Sequence, residues 1–555
     1  MTLRRGFIVT VLCLMAMVAP AAAELKLPAI ISDNMVIQTD HAIPIWGWAK
    51  PGQQVSVSLN GSLTSASGGE FSSSIVSATA DKSGKWMMKF GKIKTAGMIC
   101  TMKINAGDET KTVKNILVGE VWVCSGQSNM QFSVRGANNS AEEIAAAKFP
   151  KIRLFTVTRK ATPDKQTDCV GKWVVCSPET VPGFSAVGYF FGRDLHKNLK
   201  VPVGLINTSW GGTRVEAWTD PARVKACPQA KEVVAWWASK VETFDQAKYD
   251  VACKKQIDAH RAATAAETKR IAAAKKAGKT IKRRRIRRPR TPMNPTSSQH
   301  RPGNLYNGMI APLVPFAIRG AIWYQGESNA KRAYQYRTLF PLMIKNWRAA
   351  WGQGDFPFMW VQLANFRGRQ NDPVDDDWAE LREAQSMTLS LPNTGEAVII
   401  DIGAARDIHP KNKQDVGKRL ALSGRKIAYG QDIVHSGPRF GSMEIKGAKA
   451  ILKFDHVGGG LVAKGNEGKL VGFAIAGADK KFVWADAKIA VTGAGNSARY
   501  SIIVSSGSVA KPVAVRYAWS ANPECNLYNK EGLPASPFRT DTWPGITVKS
   551  MGLGK

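Results

Sequence analysis

Four short apolar runs in this chain each stop at a polar loop rich in Gly, Ser or Asn, and that recurrence restricts the fold more than any other feature. ILVGEVWVC (116–124) runs into Ser-Gly-Gln-Ser-Asn-Met, and VGLINTSWGGTRVEAW (203–218) is a short β-like run followed by a double glycine. RGAIWYQGESNA (319–330) ends in Gln-Gly-Glu-Ser-Asn, and AVIIDI (397–402) leads to Asp407-Ile408-His409-Pro410. Continuous apolar runs fit parallel strands covered on both faces, and such strands deliver their loops to one sheet edge, where ligands bind in open α/β folds. Helical patterns such as DDWAELREAQSMTLS (376–390) and the stretch at 411–428 alternate with these runs. Residues 116–435 therefore read as a three-layer α/β/α domain with a parallel sheet.

Two of the loops carry reactive side chains. A serine hydroxyl is a weak nucleophile at neutral pH until a base takes its proton, and a histidine held in one tautomer by a carboxylate is the usual base. Ser128 sits on a Gly-containing turn after a buried strand, and His409 follows Asp407 by two residues, so the two loops are expected to meet. Each string alone is also ordinary turn or helix-cap chemistry; the fourfold recurrence is what favours acyl transfer. A conventional nucleophile elbow, Gly-x-Ser-x-Gly, would need glycine where Met130 stands.

GQSNM, SWGGTRVEAW, WYQGESNA and DIHPKNKQDVGKRLAL together resemble the sialate O-acetylesterase family, a branch of the SGNH-type serine esterases. ISDNMVIQ, IPIWGWAKPG, LYNGMIAPL, VRYAW and NLYNKEGLPASPFRTD extend the resemblance over almost the whole chain. It implies an SGNH-hydrolase-like domain that removes O-acetyl groups from carbohydrates without a cofactor. Ser128 would be the nucleophile, His409 the general base and Asp407 the orienting acid. The oxyanion would be held by backbone N–H groups at Ser128 and Gly212, with Gly211 in the turn, and by a side chain of the third block, Gln325 ahead of Asn329. The usual last block is Asp-x-x-His, but Arg406 stands three residues before His409, so Asp401 or a Ser-His dyad stay open as alternatives. Trp210, Arg214, Glu216 and Glu327 are candidate sugar contacts; Trp218 and Trp323 lie beside these motifs but also read as core or strand residues, the reading favoured for Trp323. A non-catalytic carbohydrate-binding protein that kept the fold is the competing reading.

The flanks read as β-sandwich-like modules. Residues 24–115 carry short β-like runs (IPIWGWA, QVSVSLN, KWMMKF) between Pro-Gly, Gly-Gly and Ser-Gly turns, and 436–555 returns to the same pattern. Residues 1–23, with Arg4, Arg5, an apolar run and Ala21-Ala22-Ala23, read as a secretory signal peptide, so the mature protein is expected to be exported, periplasmic or extracellular. No later run reaches the length of a membrane helix. Seven cysteines would remain, with Cys169–Cys176 and Cys227–Cys253 as candidate pairs and Cys124 as a buried apolar residue; their spacing indicates no metal site.

An insertion at about 235–300 stands apart: a helical pattern from Val241 to Ala277 runs into a tract in which residues 269–290 hold twelve Lys or Arg and no acid. Without interleaved aromatics or a nucleic-acid fold signature, this tract and the net charge of +34 suggest an anionic polymer or an envelope surface as partner, not a specific nucleic acid.

Overall fold

A computed structural model describes residues 24–550 apart from 64–69, 73–74, 288, 290, 494 and 498. The expected signal peptide, residues 1–23, lies outside the described residues. The protein is mixed α/β, with a central, mostly parallel sheet and additional antiparallel sheets. The central strands are β1 (Glu109–Gly126), β2 (Phe149–Thr156), β3 (Trp173–Cys176), β4 (Val203–Asn207), β5 (Gly320–Tyr324), β6 (Phe358–Val361) and β7 (Thr394–Ala397). They lie in the order β3-β2-β4-β1-β5-β6-β7, and every pair is parallel except β3 with β2 at the edge.

Between and beyond these strands lie the helices α1 (Ser128–Gln131), α2 (Ala186–Leu199), α3 (Gln246–Lys276), α4 (Ala333–Trp351), α5 (Asp377–Met387) and α6 (Lys413–Tyr429). Alternate side chains of the buried strands meet different helices, as the two-residue period of a strand requires. Trp122 of β1 packs edge-on against Phe191 of α2 at 5.0 Å, and a Cβ at Gly417 of α6 would fall 2.5 Å from Phe190 Cβ, so α2 and α6 pack closely. Trp323 of β5 meets Phe340 and Trp347 of α4 at 6.4 and 6.0 Å, and Trp218 at 6.0 Å. Trp218 and Trp323 are fully buried and belong to the core.

β1 is 18 residues long and does two jobs. Its first half pairs antiparallel with Met98–Ala106, in a sheet that also holds Gln54–Leu63 and Val76–Thr79; its second half is the centre of the parallel sheet. Two further N-terminal strands, Ile43–Trp48 and Lys85–Phe90, form a separate antiparallel pair. After α6 come two four-stranded antiparallel sheets, one holding Lys449–Asp455 and Arg499–Ser505, the other Phe473–Ala476 and Ala514–Tyr517.

Three expectations are corrected. The run 397–402 is not a strand: β7 ends at Ala397, because Val398 and Ile400 turn into the C-terminal module's core while Ile399 stays in the main core. The insertion helix begins earlier than Val241 and is broken: Lys231–Glu242 precedes α3, which restarts where the Asp245 carboxylate caps the Lys248 N–H. The seven described cysteines are all free, with Cys124 buried and its thiol pushed up in pKa by burial. Among the described residues no helix is long and apolar enough to cross a membrane, and no cluster of His, Cys, Asp and Glu suits a metal ion.

Candidate active site

β1 delivers Ser128 through a turn only glycine can make. Gly126 has φ +137°, and a Cβ there would lie 2.2 Å from the Tyr324 carbonyl oxygen of β5. Gln127 N–H donates to that same carbonyl at 2.9 Å, and Ser128 then opens α1. The loop after β4 is laid beside this turn by two backbone bonds, Thr208 N–H to Cys124 O and Trp210 N–H to Gly126 O, each 3.0 Å. The loop between β7 and α6 closes over both: His409 Nε2 and Ser128 Oγ are 2.8 Å apart. That is the hydrogen bond through which an imidazole can take a serine's proton.

The acid is less direct. Asp407 Oδ1 accepts the His409 backbone N–H at 2.9 Å and stands 3.8 Å from His409 Nδ1. Asp401 is committed elsewhere: its carboxylate takes a two-pronged ion pair from Arg419 of α6, at 2.6 and 2.8 Å, and a bond from Tyr528 at 3.2 Å. Burial and the nearby Lys413 ammonium hold the His409 imidazole below its ordinary 6.5, against the pull of Asp407. A neutral imidazole is the basic form, so the acidic limb of kcat/KM is expected below pH 6.5, and a pH–rate profile on a neutral ester checks it.

Gly212, at φ +74°, faces open space, and its N–H has no partner among the described residues. The Gly211 N–H is taken by Gln131 Oε1 at 2.8 Å, and a Cβ on Gly211 would stand 3.3 Å from Ser128 Cβ. Gln325 and Asn329, expected as oxyanion donors, are turned inward. Gln325 Nε2 donates to Thr213 O and Asn329 Oδ1 at 3.2 and 2.6 Å, and its Oε1 accepts from Tyr336. Asn329 Nδ2 donates to Glu216 at 3.0 Å while Oδ1 also accepts the Val215 N–H. Glu216 is fully buried and paired with Arg332, so it belongs to this internal brace and not to a sugar contact.

Arg214 and Trp210 remain available. Arg214 is half-buried with no ion-pair partner among the described residues, burial and Arg332 holding its guanidinium below the usual value. Trp210 is half-buried, with the Arg159 guanidinium 5.8 Å above its ring. Glu327, a candidate sugar contact, is half-buried and turned toward the nucleophile turn: Oε1 accepts from Asn129 Nδ2 at 2.6 Å and Oε2 is buried without a partner among the described residues.

Two residues of the site are not singled out by their sequence context. Asn129 follows the serine and is 1% exposed, and Lys413, the first residue of α6, is 0% exposed. Both stand inside the motifs quoted above, but nothing in a sequence separates an enclosed lysine from a solvated one.

A mostly parallel α/β sheet with a Ser–His hydrogen bond at its loop edge fits the class of hydrolases. Within it, the family model described as carbohydrate esterase, sialic acid-specific acetylesterase matches residues 118–265 and 291–423, and the chain belongs to that family. It is a carbohydrate O-acetylesterase. The chain is 29% identical to sialate O-acetylesterases of Homo sapiens and Pongo abelii, over 95% of this chain and 95% of each relative. The crystal structure of a carbohydrate acetylesterase from Xanthomonas citri superposes with TM-score 0.74 at 36% identity, covering 94% of this chain and all of that one. The two matched stretches leave out residues 266–290, which contain the whole of the basic tract.

Proposed function

We propose that this chain is an exported serine esterase that removes O-acetyl groups from carbohydrates through an acyl-enzyme. The observation that carries this reading is the 2.8 Å bond between Ser128 Oγ and His409 Nε2. Ser128 attacks the acetyl carbonyl as His409 takes its proton; His409 returns that proton to the departing sugar hydroxyl, and water then releases acetate. Asp407 supports the charged imidazole from 3.8 Å and fixes the loop through the His409 N–H. Backbone N–H groups of Ser128 and Gly212 receive the oxyanion, a kind of donor that costs about 3–4 kcal/mol of transition-state stabilisation when one is lost. The division of β1 and β5 side chains between α2 on one hand and α4 on the other supports an SGNH-type three-layer arrangement.

The substrate class is an acetylated sialic acid or a plant-type polysaccharide. Arg214 suits a sugar carboxylate, since a guanidinium fork matches a carboxylate in two bonds, and Trp210 offers a ring face. Acetate release from acetylated sialic acid, acetylated xylo-oligosaccharides and acetylated hexoses tests this; release from none would sink it. Export predicts a mature N-terminus at Glu24, read by N-terminal sequencing of the secreted protein.

The basic tract serves attachment to an anionic polymer. Its backbone is pinned along α3, with Arg284 N–H on Glu267 at 2.7 Å, Arg270 on Lys282 O at 2.9 Å and His260 against Arg287 O at 3.0 Å. Those bonds use main-chain atoms of 282–287 and leave its side chains exposed. Replacing Lys282, Arg283, Arg285 and Arg287 by Gln is expected to keep turnover of a small neutral ester within about twofold while abolishing salt-sensitive retention on a polyanionic matrix. A large loss of turnover would mean that the tract builds the active site.

A further inference from the structure

We propose that Lys413 is a positioning residue for acyl transfer, holding the His409 loop in register with the nucleophile turn through the side chain of Asn129. The proposal rests on the Ser128–His409 reading above. Asn129 lies one residue after the nucleophile, and its amide oxygen and both amide hydrogens are engaged. Its Oδ1 accepts from Lys413 Nζ at 2.6 Å. Its Nδ2 gives one hydrogen to Glu327 Oε1 at 2.6 Å and the other to the carbonyl of Ile408, the residue before His409, at 2.9 Å. Flipped by half a turn, the amide would set its NH2 against an ammonium and its oxygen against a carboxylate and a carbonyl. Lys413 and Glu327 thus fix the orientation of Asn129, and Asn129 fixes Ile408.

Lys413 occupies this place against two costs. It is wholly enclosed, and it is the first residue of α6, where the helix dipole disfavours a cation. Burial accordingly pushes its ammonium down to about 7, against the pull of Glu327 and Asp407, the acids that face it. What compensates is specific: the Asn129 oxygen, the Glu327 carboxylate, and the rings of Phe132 and Tyr324 at 5.0 and 5.2 Å. Tyr324 adds no charge, since burial raises its phenol well above the usual value. A lysine serving α6 alone would lie in solvent. Here it ties a rigid helix, packed on α2, to the two loops whose side chains must stay 2.8 Å apart.

The test uses the full-length enzyme, with Lys413→Met and Asn129→Asp compared with the unaltered protein on a neutral acetyl ester. Asn129→Asp keeps the bulk and the Lys413 contact but loses the donors to Ile408 and Glu327. Both variants are expected to lose about ten- to hundredfold in kcat with KM within about twofold, the pattern of a misplaced but still bound substrate and base. In Lys413→Met the acidic limb of kcat/KM should also move up, because a cation that depresses the His409 pKa has gone while Asp407 stays. An acidic limb left in place in folded Lys413→Met, or full kcat in Asn129→Asp, overturns the proposal. Circular dichroism shows whether Lys413→Met has folded; if it has not, the kcat and KM of Asn129→Asp decide between a positioning role and none. An inactive unaltered enzyme would overturn the Ser128–His409 reading, and with it this role, a result distinct from an active enzyme indifferent to both substitutions.

Discussion

Ser128→Ala is expected to lower acetyl-ester hydrolysis by at least about 10⁴-fold, with a melting temperature close to that of the unaltered protein. Without Oγ no acyl-enzyme forms, and what remains is water attack assisted by His409 and the Ser128 and Gly212 amides. The fold should not notice: Oγ makes one bond, to a His409 side chain that is 37% exposed, and an exchange of that kind costs about 1 kcal/mol or less. Initial rates and thermal unfolding of both proteins check the two halves of this expectation. Retained turnover in the alanine variant would remove Ser128 from the mechanism.

The second large effect separates Asp407, the expected orienting acid, from Asp401, its alternative in the sequence. Asp407→Asn is expected to cost about a hundredfold or more in kcat, since it removes the negative charge that faces His409 Nδ1 and weakens the acceptor for the His409 N–H. Asp401→Asn should do the reverse. It breaks the paired bonds to Arg419, whose side chain is 11% exposed, and so costs about 3 kcal/mol of stability while activity per folded molecule stays within about twofold. Steady-state kinetics alongside denaturant unfolding distinguish the pair. A loss below tenfold for Asp407→Asn, about 1.4 kcal/mol, would leave a Ser–His dyad as the working unit.

That the Ser128 and His409 loops meet is legible in the sequence because the signals for the two loops are local: an apolar run, a glycine turn, a reactive side chain. The inward roles of Gln325 and Asn329 are not, because an amide's direction depends on Glu216 and Arg332, which come from the loop after β4 and the approach to α4. AVIIDI looks like one buried strand because burial is all that a run of apolar residues records; that Val398 and Ile400 serve a second core requires knowing that a second core lies alongside. Lys413 is invisible for a sharper reason. Lysine at a helix start is a residue of solvent by default, and only the convergence of Asn129, Glu327, Phe132 and Tyr324 makes its burial tolerable.

If Ser128, activated by His409, is the nucleophile, stoichiometric labelling with an active-site-directed fluorophosphonate, followed by peptide mapping, is the most direct measurement of it. One label per molecule is expected, on Ser128, acquired in step with the loss of esterase activity and absent from Ser128→Ala. Complete inactivation with the label on another residue, or full activity in protein labelled at Ser128, would contradict that role.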